Sequence, residues 1–251
     1  MTHRHFIATA LLALCSGPLI AAVPTPTPNE DGTYDLAEPA VYLTWLKLQP
    51  EYDYEANKAE LAQAFFWNEY VQNRNNEFSL QDVLEDAAAE VEAAVAEWPQ
   101  DIAFHIRASG EFGEYDFDKA EFAFDPVETG SYYSVPKGRE LYEASPVGLT
   151  TGYVLTIADA VDIDGLPVPR DKARALIEGR TSRSGRVNRD VVVVYTVDVL
   201  SAGTTQIDYT NRAVKELKGR ISSDKVYAVG SRNPVSDEAL LAGWPVDSAS
   251  R

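Results

Sequence analysis

Residues 190–200 read DVVVVYTVDVL, and this stretch decides the fold. β-branched and aromatic side chains dominate it, and they suit the pleated surface of a strand. Val191 to Val194 with Tyr195 form a continuous apolar run instead of an alternating one, which predicts a central strand covered on both faces. Working outward, runs of similar character occupy residues 102–108, 117–124, 152–160, 213–221 and 225–229, separated by Gly, Pro, Asp and Ser. Ser222, Ser223 and Asp224 predict a tight turn between the last two. One helix interrupts the strands over residues 169–178, with Pro169 at its start, Ala173, Leu176 and Ile177 inward, and Gly179 at its end.

Upstream the period changes to that of helices. Residues 38–48 place Val41, Tyr42, Trp45 and Leu46 on one side and stop before Pro50. Residues 54–73 carry Leu61, Ala62, Phe65, Phe66 and Tyr70 on a wide apolar face, ended by the run Asn73, Arg74, Asn75, Asn76. The third helix begins at a capping box of Ser79 and Asp82. Its apolar positions Leu80, Val83, Leu84, Ala87, Val91, Ala94, Val95 and Trp98 recur until Pro99. Asp82, Glu85, Asp86, Glu90, Glu92 and Glu97 form its other face, read as a solvated surface. Helices followed by strands predict an α+β fold, with an N-terminal helical segment packed on a mostly antiparallel β-sheet or sandwich and one inserted helix.

The first 22 residues are of another kind. His3, Arg4 and His5 precede the apolar run FIATALLAL (6–14), and Gly17, Pro18, Ala21 and Ala22 make a small-residue exit, the pattern of a secretory signal peptide. A membrane span needs about 20 predominantly apolar residues, and this run is interrupted well short of that. Cys15 raises lipid attachment, but Leu14 stands before it where a lipidated cysteine has a small residue. The organisation expected is therefore a signal peptide over 1–22, a flexible Pro-rich tether over 23–34, a helical region over 35–99, a β-rich region over 100–235 that forms one folded unit with it, and a C-terminal tail over 236–251. The expected location is periplasmic or extracellular, with no transmembrane segment in the mature chain.

Beyond residue 22 the chain has no sulfur and a single histidine, His105, because Met1 and Cys15 are its only Met and Cys. Cysteine nucleophiles, Cys/His zinc sites, iron–sulfur clusters and disulfides are excluded. No metal site and no cofactor is expected. The formal charge of −17 disfavours nucleic acid as a partner.

That charge is unevenly spread. Residues 23–169 hold 29 acidic and 7 basic residues, whereas residues 170–251 hold 10 and 14. Arg170, Lys172, Arg174, Arg180, Arg183, Arg186 and Arg189 concentrate the positive charge against Asp171 and Glu178 alone. Two readings stand: a solvated basic loop partly neutralised by the acidic half, or a binding surface for an anionic partner or lipid headgroup.

The phrases GEYDFDKAEFAF (113–124), PRDKARALIEG (169–179) and RDVVVVYTVDVL (189–200) resemble segments of an uncharacterised family of secreted bacterial domains of unknown function. The resemblance covers roughly residues 102–229. It implies location and fold class, and it carries over no site residue.

Catalytic patterns fare poorly in context. Ser134-Val135-Pro136-Lys137 and Ser222-Ser223-Asp224-Lys225 match S-x-x-K, and Tyr209-Thr210-Asn211 followed by Lys218-Gly219 resembles penicillin-binding enzymes. That chemistry needs the Ser at a helix start, which neither site offers, and no K-T-G follows. His105 sits between Phe104 and Ile106 in a predicted strand with no G-x-S-x-G elbow elsewhere, and reads as structural. Asp159, Asp162, Asp164 and Gly165 resemble a calcium loop, but Ala160 and Asp171 occupy the first and closing positions of the pattern. Carboxylates alone can cleave a glycosidic bond, and Glu111, Glu114, Asp116, Asp118 and Glu121 cluster beside Tyr115 and Phe117. The expected function is a non-enzymatic binding or envelope-accessory protein whose partner is an envelope protein or an anionic or glycan ligand. The alternative is a carboxylate-dependent glycan hydrolase.

Overall fold

The computed structural model describes residues 22–124, 127–135, 152–159, 163, 165–206, 213–229 and 234–245. The described residues divide into two compact units, one built on Asp53–Glu92 and one of Pro24–Tyr52 with the described residues from Ala93 onward.

The first unit is helical. The predicted 54–73 helix is two, α2 (Lys58–Phe65) and α3 (Trp67–Asn73), because Phe66 leaves helical geometry at φ −131° and ψ 43°. Phe66 is itself buried with Leu61 and Ala62. The long helix, α4 (Glu77–Glu97), belongs to this unit through Glu92 and to the second unit from Ala93 on, and it starts two residues before the predicted cap. Asn76 caps it instead of Ser79: its side-chain oxygen accepts from the amides of Phe78 and Ser79, both at 3.2 Å. Val83, Ala87 and Val91 form the buried stripe, and the acidic residues of the opposite face are exposed.

The second unit contains the sheets and, ahead of α2 in the chain, helix α1 (Glu38–Lys47). The principal sheet has the order β1 (Tyr34–Asp35), β2 (Ala103–Glu111), β8 (Asp190–Gln206), β9 (Ala213–Tyr227), β6 (Tyr153–Asp159) and β5 (Tyr132–Ser134), with β10 (Leu240–Pro245) also paired to β9. The β1–β2 and β6–β9 pairs are parallel and the other pairs antiparallel. A smaller antiparallel sheet consists of β3 (Tyr115–Asp116), β4 (Glu121–Ala123) and β7 (Gly165–Pro167). The inserted helix is α5 (Arg170–Arg180), which includes Gly179 in its last turn. The architecture is α+β, as helices followed by strands imply.

The valine run does form the centre. In β8, Val191, Val192, Val193, Tyr195 and Val197 are buried, flanked by β2 and β9. The predicted turn at Ser222-Ser223-Asp224 is not a turn. β9 runs straight through it, and the extra residue is absorbed as a bulge: Ile221 pairs with Val197 and Ser223 with Thr196, leaving Ser222 unpaired in register. Ser222 donates to the side chain of Asp198 at 3.0 Å and Ser223 bonds Thr196 at 3.0 Å, so these polar groups are satisfied across the ladder. Gly219 is required nearby, since a β-carbon there would stand 2.4 Å from Cγ1 of Val197.

Helix α1 is buried through Ala40 to Leu46 without a break, not on one face alone, as befits a helix that is apolar nearly all round. It packs against β9 and β6. Its side chains also close an open strand edge: Trp45 donates to the carbonyl of Gly203 at 2.7 Å and Gln49 to that of Ala202 at 3.2 Å, beyond the point where β2 ends. Lys47 donates to the carbonyls of Val95 and Ala96, capping α4.

Segments near both ends of the described residues contribute to the sheet. Residues 29–33 of the expected tether fold into a turn leading to β1, with Thr33 and Tyr34 buried. The expected tail contributes β10. Among the described residues no helix is long and apolar enough to cross a membrane.

Candidate functional site

The corner where α5 hands the chain to β8 is built from local signals. Thr181 ends α5 by turning extended, and its hydroxyl caps the carbonyl of Ile177 at 2.6 Å. Residues 181–187 then close a small hairpin through the Thr181–Val187 bridge. Gly185 makes the turn at φ +81°, a conformation that costs a glycine nothing. The Ser182 hydroxyl accepts from the Arg186 amide at 3.1 Å. The strand that follows begins at Asp190, directly opposite Glu111 at the end of β2.

These elements enclose an open concavity of about 760 Å³ whose wall includes Arg180, Arg186, Arg189, Glu111 and Asp190. Two of the arginines are fixed. Arg180 donates to the carbonyls of Asn188 and Asp190, and desolvation lowers its guanidinium pKa, partly offset by the Asp190 charge. Arg189 donates to the carbonyl of Gly113 and lies 5.4 Å from the centre of the Phe112 ring. Arg186 is exposed, and no side chain among the described residues pairs with it.

The seven basic residues named from sequence are thus divided. Arg180, Arg186 and Arg189 meet in the concavity. Arg170 instead stacks 5.3 Å from the exposed Phe117 ring. On α5, Arg170 and Arg174 lie one turn apart, while Lys172 is on the far flank with Asp171 and Glu178 between them. Lys172, Arg174 and Arg183 are exposed, and among the described residues none of the seven makes a salt bridge.

The acidic cluster is divided too. Glu111 joins the concavity. Asp116 accepts from the amides of Asp118 and Lys119 at 2.8 and 3.1 Å, which lowers its pKa, and Glu121 lies 3.4 Å from Lys119. They shape the β3–β4 hairpin, where Ala120 turns at φ +56°. His105 is held by Asp31 at 3.1 Å, consistent with a structural role. Asp31 has a lowered pKa, first through the Thr33 hydroxyl and amide.

Sequence reading missed two acids. Asp190 falls outside both clusters, and only the β2–β8 register reveals it beside Glu111. Asp224 was assigned to a turn; it lies buried in β9 between Tyr195 of β8 and Trp244 of β10. Neither carboxyl oxygen completes a hydrogen bond, and burial pushes its pKa up to about 6, tempered by the nearby amides of Asp224 itself and of Trp244.

The second S-x-x-K pattern supplies no dyad. Ser222 and Lys225 lie in one extended strand, where three residues span about 10 Å. Ser134 is in β5, and Pro136 and Lys137 lie outside the described residues, as do Tyr209 to Asn211 and, in the calcium-like loop, Ala160, Asp162 and Asp164.

Residues 54–178 match the model of a family described as a domain of unknown function (DUF4852). The match takes in the phrase at 113–124 and all but the last residue of that at 169–179, and it stops short of the strand at 189–200. No curated protein and no solved structure matches the chain.

Proposed function

We propose that this chain, which carries an uncharacterised domain over residues 54–178, is an exported, non-enzymatic binding module of the cell envelope, and that the concavity between α5 and β8 holds an anionic ligand. The supporting observation is the state of its arginines. Arg180 and Arg189 are held in place by backbone carbonyls, so little side-chain freedom is lost when a ligand uses their remaining donors. Arg186 stands unpaired between them in sequence, and a guanidinium suits a carboxylate or phosphate through paired N–H donors.

The test is thermal unfolding of the full chain with inorganic phosphate, citrate or a uronic-acid oligosaccharide. A ligand at 100 times its dissociation constant adds about 2.7 kcal/mol, or several degrees for a domain of this size. The expected result is a shift that the Arg186→Ala variant loses. A shift of the same size in that variant would place the ligand elsewhere.

Glycan hydrolysis is a second reading, favoured by one observation. Glu111 and Asp190 face each other across a β-ladder, where β-carbons stand about 5 Å apart, so rotation of the two side chains can bring their carboxyl groups to the separation of about 5 to 5.5 Å that retaining glycosidases use. Release of reducing sugar from cell-wall glycan, abolished by Glu111→Gln, would establish it; no release from a panel of such glycans would remove it.

A further inference from the structure

Glu111 and Asp190 are directly opposed carboxylates, an arrangement that is unfavourable in a sheet unless something positive lies between them. Among the described residues neither carboxylate has a salt-bridge partner. The guanidinium groups nearest in the chain, Arg180 and Arg189, direct donors to backbone carbonyls, and Arg180 acts on Asp190 through charge without forming a salt bridge. The pair also occupies a special place. It forms part of the wall of the 760 Å³ concavity and of a second depression of about 430 Å³ along the ends of β2 and β8, so it is the boundary the two share. The wall of this surface therefore carries two facing carboxylates without a salt bridge, of which Asp190 feels the Arg180 charge, together with the exposed and unpaired Arg186.

Resting on the reading of the concavity as an anion-binding site, we infer that its ligand is a small zwitterion: a carboxylate received by Arg186 and an ammonium received by the Glu111–Asp190 pair. An ammonium has three donors and can satisfy two facing carboxylates at once, which a hydroxyl cannot do with equal charge compensation. The chemistry is that of an amino acid, a short peptide, or an amino sugar bearing a free amine and an acid group. Peptide and sugar sources share these two charges, and the probes separate them.

Isothermal titration of the full chain with glycylglycine, N-acetylglycylglycine, glycinamide, muramic acid and citrate tests this. The expected pattern is that at least one probe with both charges binds ten times or more tightly than the acetylated and amidated probes. Glycylglycine ahead of muramic acid identifies a peptide source, and the reverse order a sugar source. The Glu111→Gln/Asp190→Asn double variant should abolish the preference for a free amine and keep carboxylate binding. Its melting midpoint reports that it remains folded; an unfolded double variant is replaced by Glu111→Gln alone. N-acetylglycylglycine binding as tightly as the better of glycylglycine and muramic acid overturns the zwitterion and leaves the anion site standing. Glycinamide binding as tightly as the better of those two also overturns it, and so does citrate binding while no zwitterion binds. If none of the five binds, both readings fall.

Discussion

Lys215 and Asp224 are buried charges nine residues apart on one strand, and they are housed in opposite ways. Lys215 lies under α1, with its ammonium 5.2 Å from the Tyr42 ring centre and 4.9 Å from that of Trp45. Aromatic faces carry partial negative charge, so the two rings contribute to holding a cation there. Asp224 lies between Tyr195 and Trp244 in register, and its carboxyl oxygens meet no donor. A carboxylate gains nothing from a ring face. Glu216, also buried, shows what an anion requires: it accepts from the Thr156 hydroxyl at 2.7 Å and has Lys218 at 3.8 Å. An aromatic-rich interior is thus selective about the sign of the charge it tolerates.

Reversing the sign at the first site is the strongest way to break that comparison. Lys215→Glu sets a carboxylate under Tyr42 and Trp45 beside Glu216, and an uncompensated buried charge costs about 3–5 kcal/mol. Lys215→Met keeps the stem and should cost about 1 kcal/mol or less, because the lost ring attraction is offset by relief of desolvation. Urea unfolding of both variants measures the gap; equal losses would mean that the rings respond to bulk and not to sign.

The next effect concerns the joint between the two environments. Gly219 lies between them, where Val197 leaves no room for a β-carbon. Gly219→Val forces β8 and β9 apart and should cost about 2–3 kcal/mol by overpacking. A loss under 0.5 kcal/mol in the same unfolding assay would show that the ladder relaxes freely.

Asp224 gives a smaller net change with a distinctive pH signature. Its carboxyl titrates near 3.8 when unfolded and at about 6 when folded, so folding favours the protonated form. The stabilisation by that proton is fully present below about pH 4 and is lost as pH rises through 6. Two pKa units correspond to about 3 kcal/mol between these limits. Asp224→Asn should flatten this part of the pH profile and raise stability at pH 8 by about 1–2 kcal/mol, the remainder being retained as the cost of a buried amide. An unchanged slope between pH 4 and 7 in the variant would assign the titration to another group.

Legibility in the sequence follows how far each determinant lies along the chain. The valines of β8 are a local signal, and so are Pro169 and Gly185 at their turns. Ser222-Ser223-Asp224 misleads because its strand geometry depends on Thr196 and Asp198, partners that no local window contains. Residues 240–245 read locally as a tail for the same reason: Gly243 and Pro245 weaken the strand pattern, and pairing with β9 overrides it. In the candidate site, Arg180, Arg186 and Arg189 were visible as charge density. Helical spacing alone separates Lys172 from Arg170 and Arg174. The meeting of Glu111 with Asp190 needs the register of two strands 79 positions apart.

Arg180 extends the comparison to a third solution and the smallest effect. Desolvation lowers its pKa as it raises that of Asp224, yet among the described residues this cation finds neither rings nor a salt bridge and uses the carbonyls of Asn188 and Asp190. Hydrogen bonds of this kind, open to water on one side, contribute about 1 kcal/mol. Arg180→Met should therefore cost about that much in urea unfolding. If the guanidinium serves to hold the 181–187 hairpin for a ligand, the same variant should weaken binding more than it weakens the fold, with hydrogen exchange at Arg186 and Asn188 accelerated and the β8 amides unaffected. Loss of protection spreading into β8 would make Arg180 part of the sheet's support, and its likeness to Lys215 would then be one of stability alone.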